Sequence, residues 1–265
     1  MPSTTWQPTF YLPHGGGPCF FMPDPSGMWT GMRRFLESTQ SRLPEAPRAL
    51  LVISGHWETH GFALTGAKHP KLLFDYYNFP PHTYELRYEV PGDPAVAERA
   101  AQLLNTAGLP ASVDTARELD HGVFIPLMVA FPEARIPVVE MSLDRSLDPA
   151  LHLAAGRALR PLRDEGVLIL ATGMSFHNMS GYGDPRFTAP SEEFDAWLTQ
   201  TVTADPQTRD AGLGQWEQAP SARLSHPDAE HLLPLMVAAG AATGRGEKIY
   251  DEHVLATEIS GFRFD

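Results

Sequence analysis

Three continuous apolar runs constrain this chain more than any other feature: ALLVIS at Ala49 to Ser54, PVVEMS from Pro137, and VLILATG from Val167. A strand with one wet face alternates apolar and polar residues, whereas an unbroken apolar run has to be covered on both faces. That is the condition of inner strands in a parallel sheet held between helices. Thr9 to Leu12 offers a fourth strand of this type. Between the runs lie helical patterns: Pro94 to Leu104 behind the cap-like Asp93, Asp148 to Asp164, and Ser191 to Thr201 with Glu in its first turn. The β, α, β, α order predicts an α/β fold, a single-domain sandwich over residues 1–265 with a central mixed β-sheet flanked by helices. Antiparallel edges are expected near Phe62 to Thr65, Tyr84 to Tyr88 and Glu258 to Phe264. Proline and glycine are spread along the chain rather than gathered in one linker, which argues against two unlike domains.

Charge and cysteine usage narrow the partners. A formal net charge of −12, from 32 acidic and 20 basic residues, argues against nucleic acid and against an anionic membrane surface, so a small molecule is the expected partner. Cys19 is the sole cysteine, which excludes an intramolecular disulfide, a thiolate zinc site and an iron–sulfur cluster within one chain. Any metal would be held by histidine and carboxylate. MPSTTWQPTF shows no basic segment followed by an apolar stretch, and no run reaches the roughly 18 apolar residues of a membrane span, so a soluble cytoplasmic protein is expected.

The histidines give the chemistry its place. His14 (PHGGGP), His56 (SGHW) and His177 (SFHNM) each follow an apolar strand run, and His231 opens an apolar helical stretch. Ligands of open α/β sheets bind beyond the carboxyl ends of the strands, so imidazoles converging there suggest a metal site. The three glycines after His14 allow a sharp turn and close approach to a ligand. Trp57 is expected to pack beside His56. Ser225-His226-Pro227-Asp228 reads as a helix start with Ser225 as N-cap, which puts Glu230 and His231 in the first turns. Consecutive helical side chains diverge by about 100°, so one of the two would bind the ion while the other supports it through a hydrogen bond. His177, and His121 behind Asp120 in LDHGVFIPL, suit proton transfer beside a metal. His60, His69, His82, His152 and His253 lack such placement and are read as solvated or structural. A zinc hydrolase with Glu230 or Glu58 as general base, and a non-catalytic binding protein, are the competing classes.

Six segments in this order, PHGGGP, SGHW, DYYNFPPHTYELRYEVPGDPAVAERA, LDHGVFIPL, GMSFHNM and HPDAEHLLPL, resemble the class III extradiol ring-cleaving dioxygenases, in the branch of the 4,5-DOPA extradiol dioxygenases. The resemblance covers nearly the whole chain. It implies a non-haem Fe(II) enzyme that binds a catechol through both hydroxyls, takes O2 beside it and opens the ring next to the diol, with Zn(II) able to occupy the same ligands in isolated protein. His14, His56 and His231 match the metal ligands, His177 the active-site histidine beside them, either a fourth ligand in a resting zinc-bound form or the acid/base group, and His121 a pocket histidine contacting substrate or oxygen. HGGGP stands where bacterial DOPA-type members have HGSP, and a glutamate takes the third ligand position in the protocatechuate-cleaving branch, the place Glu230 would fill.

Overall fold

The computed structural model describes residues 6–265. In chain order the elements are β1 (Thr9–Pro13), α1 (Thr30–Glu37), β2 (Ala49–Thr59), β3 (Phe62–Thr65), α2 (Pro94–Thr106), β4 (Ala111–Asp114), α3 (His121–Ala130), β5 (Val138–Asp144), α4 (Pro149–Leu159), α5 (Pro161–Asp164), β6 (Val167–Gly173), α6 (Thr188–Val202), α7 (Pro206–Leu213), α8 (Ala222–Ser225), α9 (Leu233–Ala241), β7 (Gly246–Val254) and β8 (Thr257–Phe264). The strands form one mixed sheet in the order β4-β3-β5-β2-β6-β1-β8-β7. Its middle, β5-β2-β6-β1, is parallel throughout, so these four strands point their carboxyl ends the same way.

Side chains of the inner strands alternate between two cores. Leu51, Ile53, Ile169 and Ala171 pack on one face with α2, α4, α6 and α9 residues such as Leu104, Leu153, Phe194 and Val237. Leu50, Val52, Leu168 and Leu170 pack on the other with Met32 and Leu36 of α1 and Phe124 of α3. Both faces are therefore covered, which is why these strands carry no polar alternation. No helix among the described residues is long and apolar enough to cross a membrane.

Asp93 caps α2 by accepting from the Ala95 and Val96 amides, and Asp148 caps α4 by accepting from Ala150. The stretch expected as one helix from Asp148 to Asp164 is two, because Pro161 cannot continue α4 and instead opens α5. The helix expected from Ser191 begins earlier, at Thr188, so Glu192 lies beyond its first turn.

Phe62 to Thr65 is β3 and does pair antiparallel to β5, but it is not an edge, because β4 pairs parallel along its other side. Tyr84 to Tyr88 is not a strand: Pro80 and Pro81 lead into a 3-10 turn ending at Tyr84, and the Tyr88 hydroxyl anchors the following segment by donating to the Phe131 carbonyl at 2.9 Å. Glu258 to Phe264 lies in β8, but this is an inner strand, because β7 pairs along its other side. β7 went unread because GEKIYDEHV carries its charges on the solvent side of an edge, where the apolar signal is weak.

Candidate metal centre

His14 follows β1, and its amide donates to the Gly173 carbonyl at 3.1 Å, tying the loop to the end of β6. Its Nδ1 donates to the Gly15 carbonyl at 2.8 Å, which leaves Nε2 with the lone pair. That Nε2 is buried and has no hydrogen-bond partner. Gly15 has φ +81°, and a Cβ there would sit 2.4 Å from Cys19 Sγ, so the sharp turn expected of the glycine run is a steric requirement.

His56 lies within β2, not beyond its end. β2 and β5 pair regularly up to Ile53 opposite Met141 and again from Glu58 opposite Leu143, so an irregularity in register spans Ser54 to Trp57. A bulge of this kind re-aims side chains, and here it directs His56 to the pocket. Trp57 is buried behind it, with the Arg117 guanidinium 4.8 Å from the ring centre.

His231 lies in a turn, which corrects the expected helix. Ser225 ends α8 instead of capping a new helix, and α9 starts only at Leu233. Pro227 disfavours helical backbone at His226, which has φ −132° and ψ 85°, while Pro234 suits the first turn of α9. The His231 carbonyl accepts from the Tyr11 hydroxyl at 2.7 Å and from the Met174 amide at 3.2 Å. A Cβ on Gly173 would come within 2.1 Å of that carbonyl, so this contact of strand end and turn requires glycine.

His177 lies beyond β6, with its amide donating to the Ser225 carbonyl at 2.9 Å. His121 opens α3, and Asp75 fixes it twice, accepting from its amide at 2.9 Å and from its Nδ1 at 2.7 Å. Asp120 occupies the N-cap position without capping; its carboxylate accepts instead from Ser54 Oγ at 2.8 Å and Arg117 Nη2 at 2.9 Å.

The fold thus brings all five histidines together. Ring centres of His14 and His56 are 5.1 Å apart, those of His14 and His231 5.1 Å, and those of His56 and His231 4.7 Å. The His121 ring lies 4.0 Å from that of His56 at a tilt of 46°, and His177 stacks 3.4 Å from His231. One ring nitrogen each of His14, His56 and His121 lie within 4.8 Å of one another, and so do atoms of His177, Glu230 and His231.

Glu230 Oε1 accepts from His231 Nδ1 at 2.8 Å and faces His177 Nδ1 at 3.2 Å. The His231 lone pair is therefore on Nε2, which stands 3.2 Å from His56 Nε2. Where His56 holds its proton on Nδ1, which stands 3.8 Å from Asp75 Oδ2, its Nε2 lone pair meets that of His231, and nitrogens bound at about 2.1 Å to one ion stand roughly 3.0–3.4 Å apart. These residues fit a metal ion.

Electrostatics agree with that fit. Burial, then the neighbouring imidazoles, holds His14 well below the usual histidine range; burial does the same to His231, and pushes His56 down to about 4. All three are neutral near pH 7, the form that can bind a metal. Burial opposes ionisation of Glu230, but the His177 and His231 hydrogen bonds outweigh it and hold the carboxyl well below its ordinary value. Asp75 is lowered in the same way, against burial, by His121.

Of the remaining histidines, His60, His69 and His82 are exposed. His152 is fully buried and structural, hydrogen bonded to Asp148 and Asp144, and His253 pairs with Glu192 and Glu258 at the surface. The sequence pattern did not reveal that Asp75 would hold His121 or that one oxygen of Glu230 would meet two imidazoles. Both contacts depend on side chains brought together by the tertiary fold. Glu58 is not among the residues lining the pocket.

Fold and site together define an α/β protein with a histidine-floored pocket at the carboxyl ends of its parallel strands. The chain belongs to the family described as the catalytic LigB subunit of aromatic ring-opening dioxygenase, whose model matches residues 8–262. Among curated proteins it is 39% identical to dioxygenase tasH of Hapsidospora irregularis, over 95% of this chain and 83% of that protein. It is 35% identical to the 4,5-DOPA dioxygenase extradiol of Mirabilis jalapa, over 88% of this chain and 86% of that one. The protein of the same name in Escherichia coli K12 is 33% identical, over 92% and 88%. A crystal structure of an uncharacterized Escherichia coli K12 protein superposes with a TM-score of 0.77 at 26% identity, covering 98% of this chain and 100% of that one.

Proposed function

We propose that this protein is a non-haem Fe(II)-dependent extradiol dioxygenase that opens the ring of a catechol-type substrate with O2. The observation that carries the reading is the convergence of three imidazoles: the His14 ring, its buried Nε2 without a partner, lies 5.1 Å centre to centre from the rings of His56 and His231, whose Nε2 atoms are 3.2 Å apart. His14, His56 and His231 would hold the ion. Glu230 is the supporting carboxylate, since its Oε1 is engaged by His231 Nδ1. When bound, Fe(II) supplies Lewis acidity toward the two catechol oxygens and a path for electron density from the ring to O2.

The chain's own groups do the rest. Glu230 holds His177 by Nδ1 and so leaves its Nε2 to take the second catechol proton. Carrying that proton, His177 would return it to the oxygen that must leave when the O–O bond breaks, while Asp75 holds His121 by Nδ1 in the same manner and leaves its Nε2 to accept a hydrogen bond from the substrate. Both rings line the cavity, as do Tyr76 and Phe79, whose rings help to exclude water from the reacting atoms.

Oxygen uptake with concurrent visible absorbance tests the reading, on a panel of catechols with protein loaded anaerobically with Fe(II) or with Zn(II). Iron-dependent uptake with a yellow ring-opened product is expected. Silence across the panel with iron shown to be bound would overturn it. Metal content of His231→Ala, His121→Ala and Glu230→Gln checks the ligand set: the first is expected to lose the ion, the second to retain it, and the third to weaken it.

A further inference from the structure

The cavity over the histidines has a volume of about 550 Å³, well beyond what a bare catechol ring fills. Its floor is polar, formed by the imidazoles and Asp75. Its wall is another matter: Met22, Trp29, Tyr77, Phe79, Met179 and Leu255 surround the space where a ring substituent would lie. Among the described residues that line the cavity there is no lysine or arginine, and Asp75 is the single carboxylate.

Two of the hydroxyls that the wall contains are already engaged, and the Tyr77 hydroxyl and the Trp29 indole N–H are uncharged. The Tyr76 hydroxyl donates to the Thr83 carbonyl at 2.5 Å and the Tyr182 hydroxyl to the Phe176 carbonyl at 2.6 Å, so both offer ring surface instead of donors. Burial pushes the Cys19 thiol up to about 12, leaving it neutral. Arg33, which acts electrostatically on Cys19, is itself tied to the Phe20 carbonyl and paired with Glu37 at 3.6 Å. A carboxylate on the substrate would leave water for this wall without meeting a cation, inside a chain of net charge −12. Burying such a charge unpaired is costly, whereas each apolar group placed there gains by leaving water.

We infer that, given the ring-opening reading above on which this rests, the preferred substrate is a catechol bearing an uncharged, apolar substituent, and that catechols with a free carboxylate are disfavoured by the Met- and aromatic-lined wall. Methionine suits such a role, because its unbranched thioether adapts to substituents of different shape. Met179 and Tyr77 are exposed at 75% and 80%, so they form the rim by which the substituent enters.

The test uses a pair that differs in charge but little in shape, 3,4-dihydroxyphenylacetate and its methyl ester, together with 4-methyl-, 4-ethyl- and 4-propylcatechol. Anaerobic equilibrium binding to the zinc-loaded protein, read by tryptophan fluorescence, gives affinity without turnover; kcat/KM with the iron-loaded protein gives the reaction. The ester is expected to bind and react at least about tenfold better than the acid, and each added methylene to improve both by up to about fourfold. Met179→Arg, or Tyr77→Arg if the first does not fold, places a cation at the rim and is expected to narrow the gap between ester and acid by at least about fivefold. An acid that matches or exceeds its ester in the native protein overturns the inference while leaving ring opening intact. No binding and no uptake with any catechol would overturn the proposed function, and this inference with it.

Discussion

The two ends of the central sheet treat buried polar side chains in opposite ways. At the amino ends of the strands, three arginines gather at the C-terminus of α9. Arg160 donates to Gly240 and Ala242, Arg163 to Gln7 and Ala241, and Arg209 to Ala239 and Gly244. They satisfy the terminal carbonyls of a helix and complement its dipole. At the carboxyl ends, five imidazoles crowd together, each Nδ1 of His14, His121 and His231 is anchored to a carbonyl or carboxylate, and the ring nitrogens on the other side face one another. The first arrangement satisfies the carbonyls from within the protein and stabilises it, although Arg160 Nε and Arg163 Nη2 keep no partner of their own. The second leaves the buried His14 Nε2 without a partner, and under the proposed function an ion completes it. Buried cations that bond several carbonyls are structural, and anchored imidazoles that converge on one pocket are where function is to be sought.

Removing a ligand breaks the comparison most severely. His14→Ala, His56→Ala and His231→Ala are each expected to lower metal affinity by more than about 100-fold and to abolish activity, while the metal-free protein unfolds at an unchanged or higher denaturant midpoint, because repelling groups have been removed. Metal analysis and urea titration check both halves.

Acid should loosen the metal-free protein. His14, His56, His152, His226 and His231 are all lowered by burial, with His56 and His226 at about 4. The unfolded chain therefore takes up protons that the folded one refuses, so stability is full above about pH 6.5 and falls as pH drops toward 4. Each such histidine contributes a slope of up to about 1.4 kcal/mol per pH unit. Glu140 and Glu258, both raised chiefly by burial, act in the opposite sense and offset part of this. Urea titrations at pH 7 and 5 are expected to show the loss; a flat or rising profile would count against neutral, crowded imidazoles.

Arg163→Ala probes the other end. It removes bonds to two buried carbonyls and the packing of the guanidinium over Trp6 at 4.1 Å, and should cost about 3 kcal/mol of stability with metal content unchanged. Asp75→Asn and Glu230→Gln should lower turnover or metal affinity by about 10- to 100-fold, since each loosens the imidazoles it orients. The smallest effect belongs to Tyr11→Phe, which loses the hydrogen bond to the His231 carbonyl. About 1 kcal/mol of stability and a slight rise in the metal dissociation constant are expected, from thermal melts and metal titration.

The parts of this molecule legible in the sequence are those specified by a run of neighbours. ALLVIS and VLILATG announce strands buried on both faces, and a histidine just past such an apolar run has little choice of where to lie. Around His231, Ser225 and Pro227 make a helix start by local rules, whereas the tertiary contacts of Tyr11, Gly173 and Met174 with the His231 carbonyl hold that turn outside a helix. The Asp75–His121 pair spans 46 residues of sequence, and no local pattern encodes it. Likewise β7 shows itself only through pairing with β8.

The most direct test of ring opening by this pocket is the fate of labelled oxygen. Fe(II)-loaded protein, given 18O2 and a catechol that supports uptake, should yield a ring-opened product in which mass spectrometry finds both labelled atoms of one O2 molecule, with brief quenching to limit exchange with water. A product containing one labelled atom or none under the same quench, with the label shown not to wash out of an authentic standard, would contradict the account.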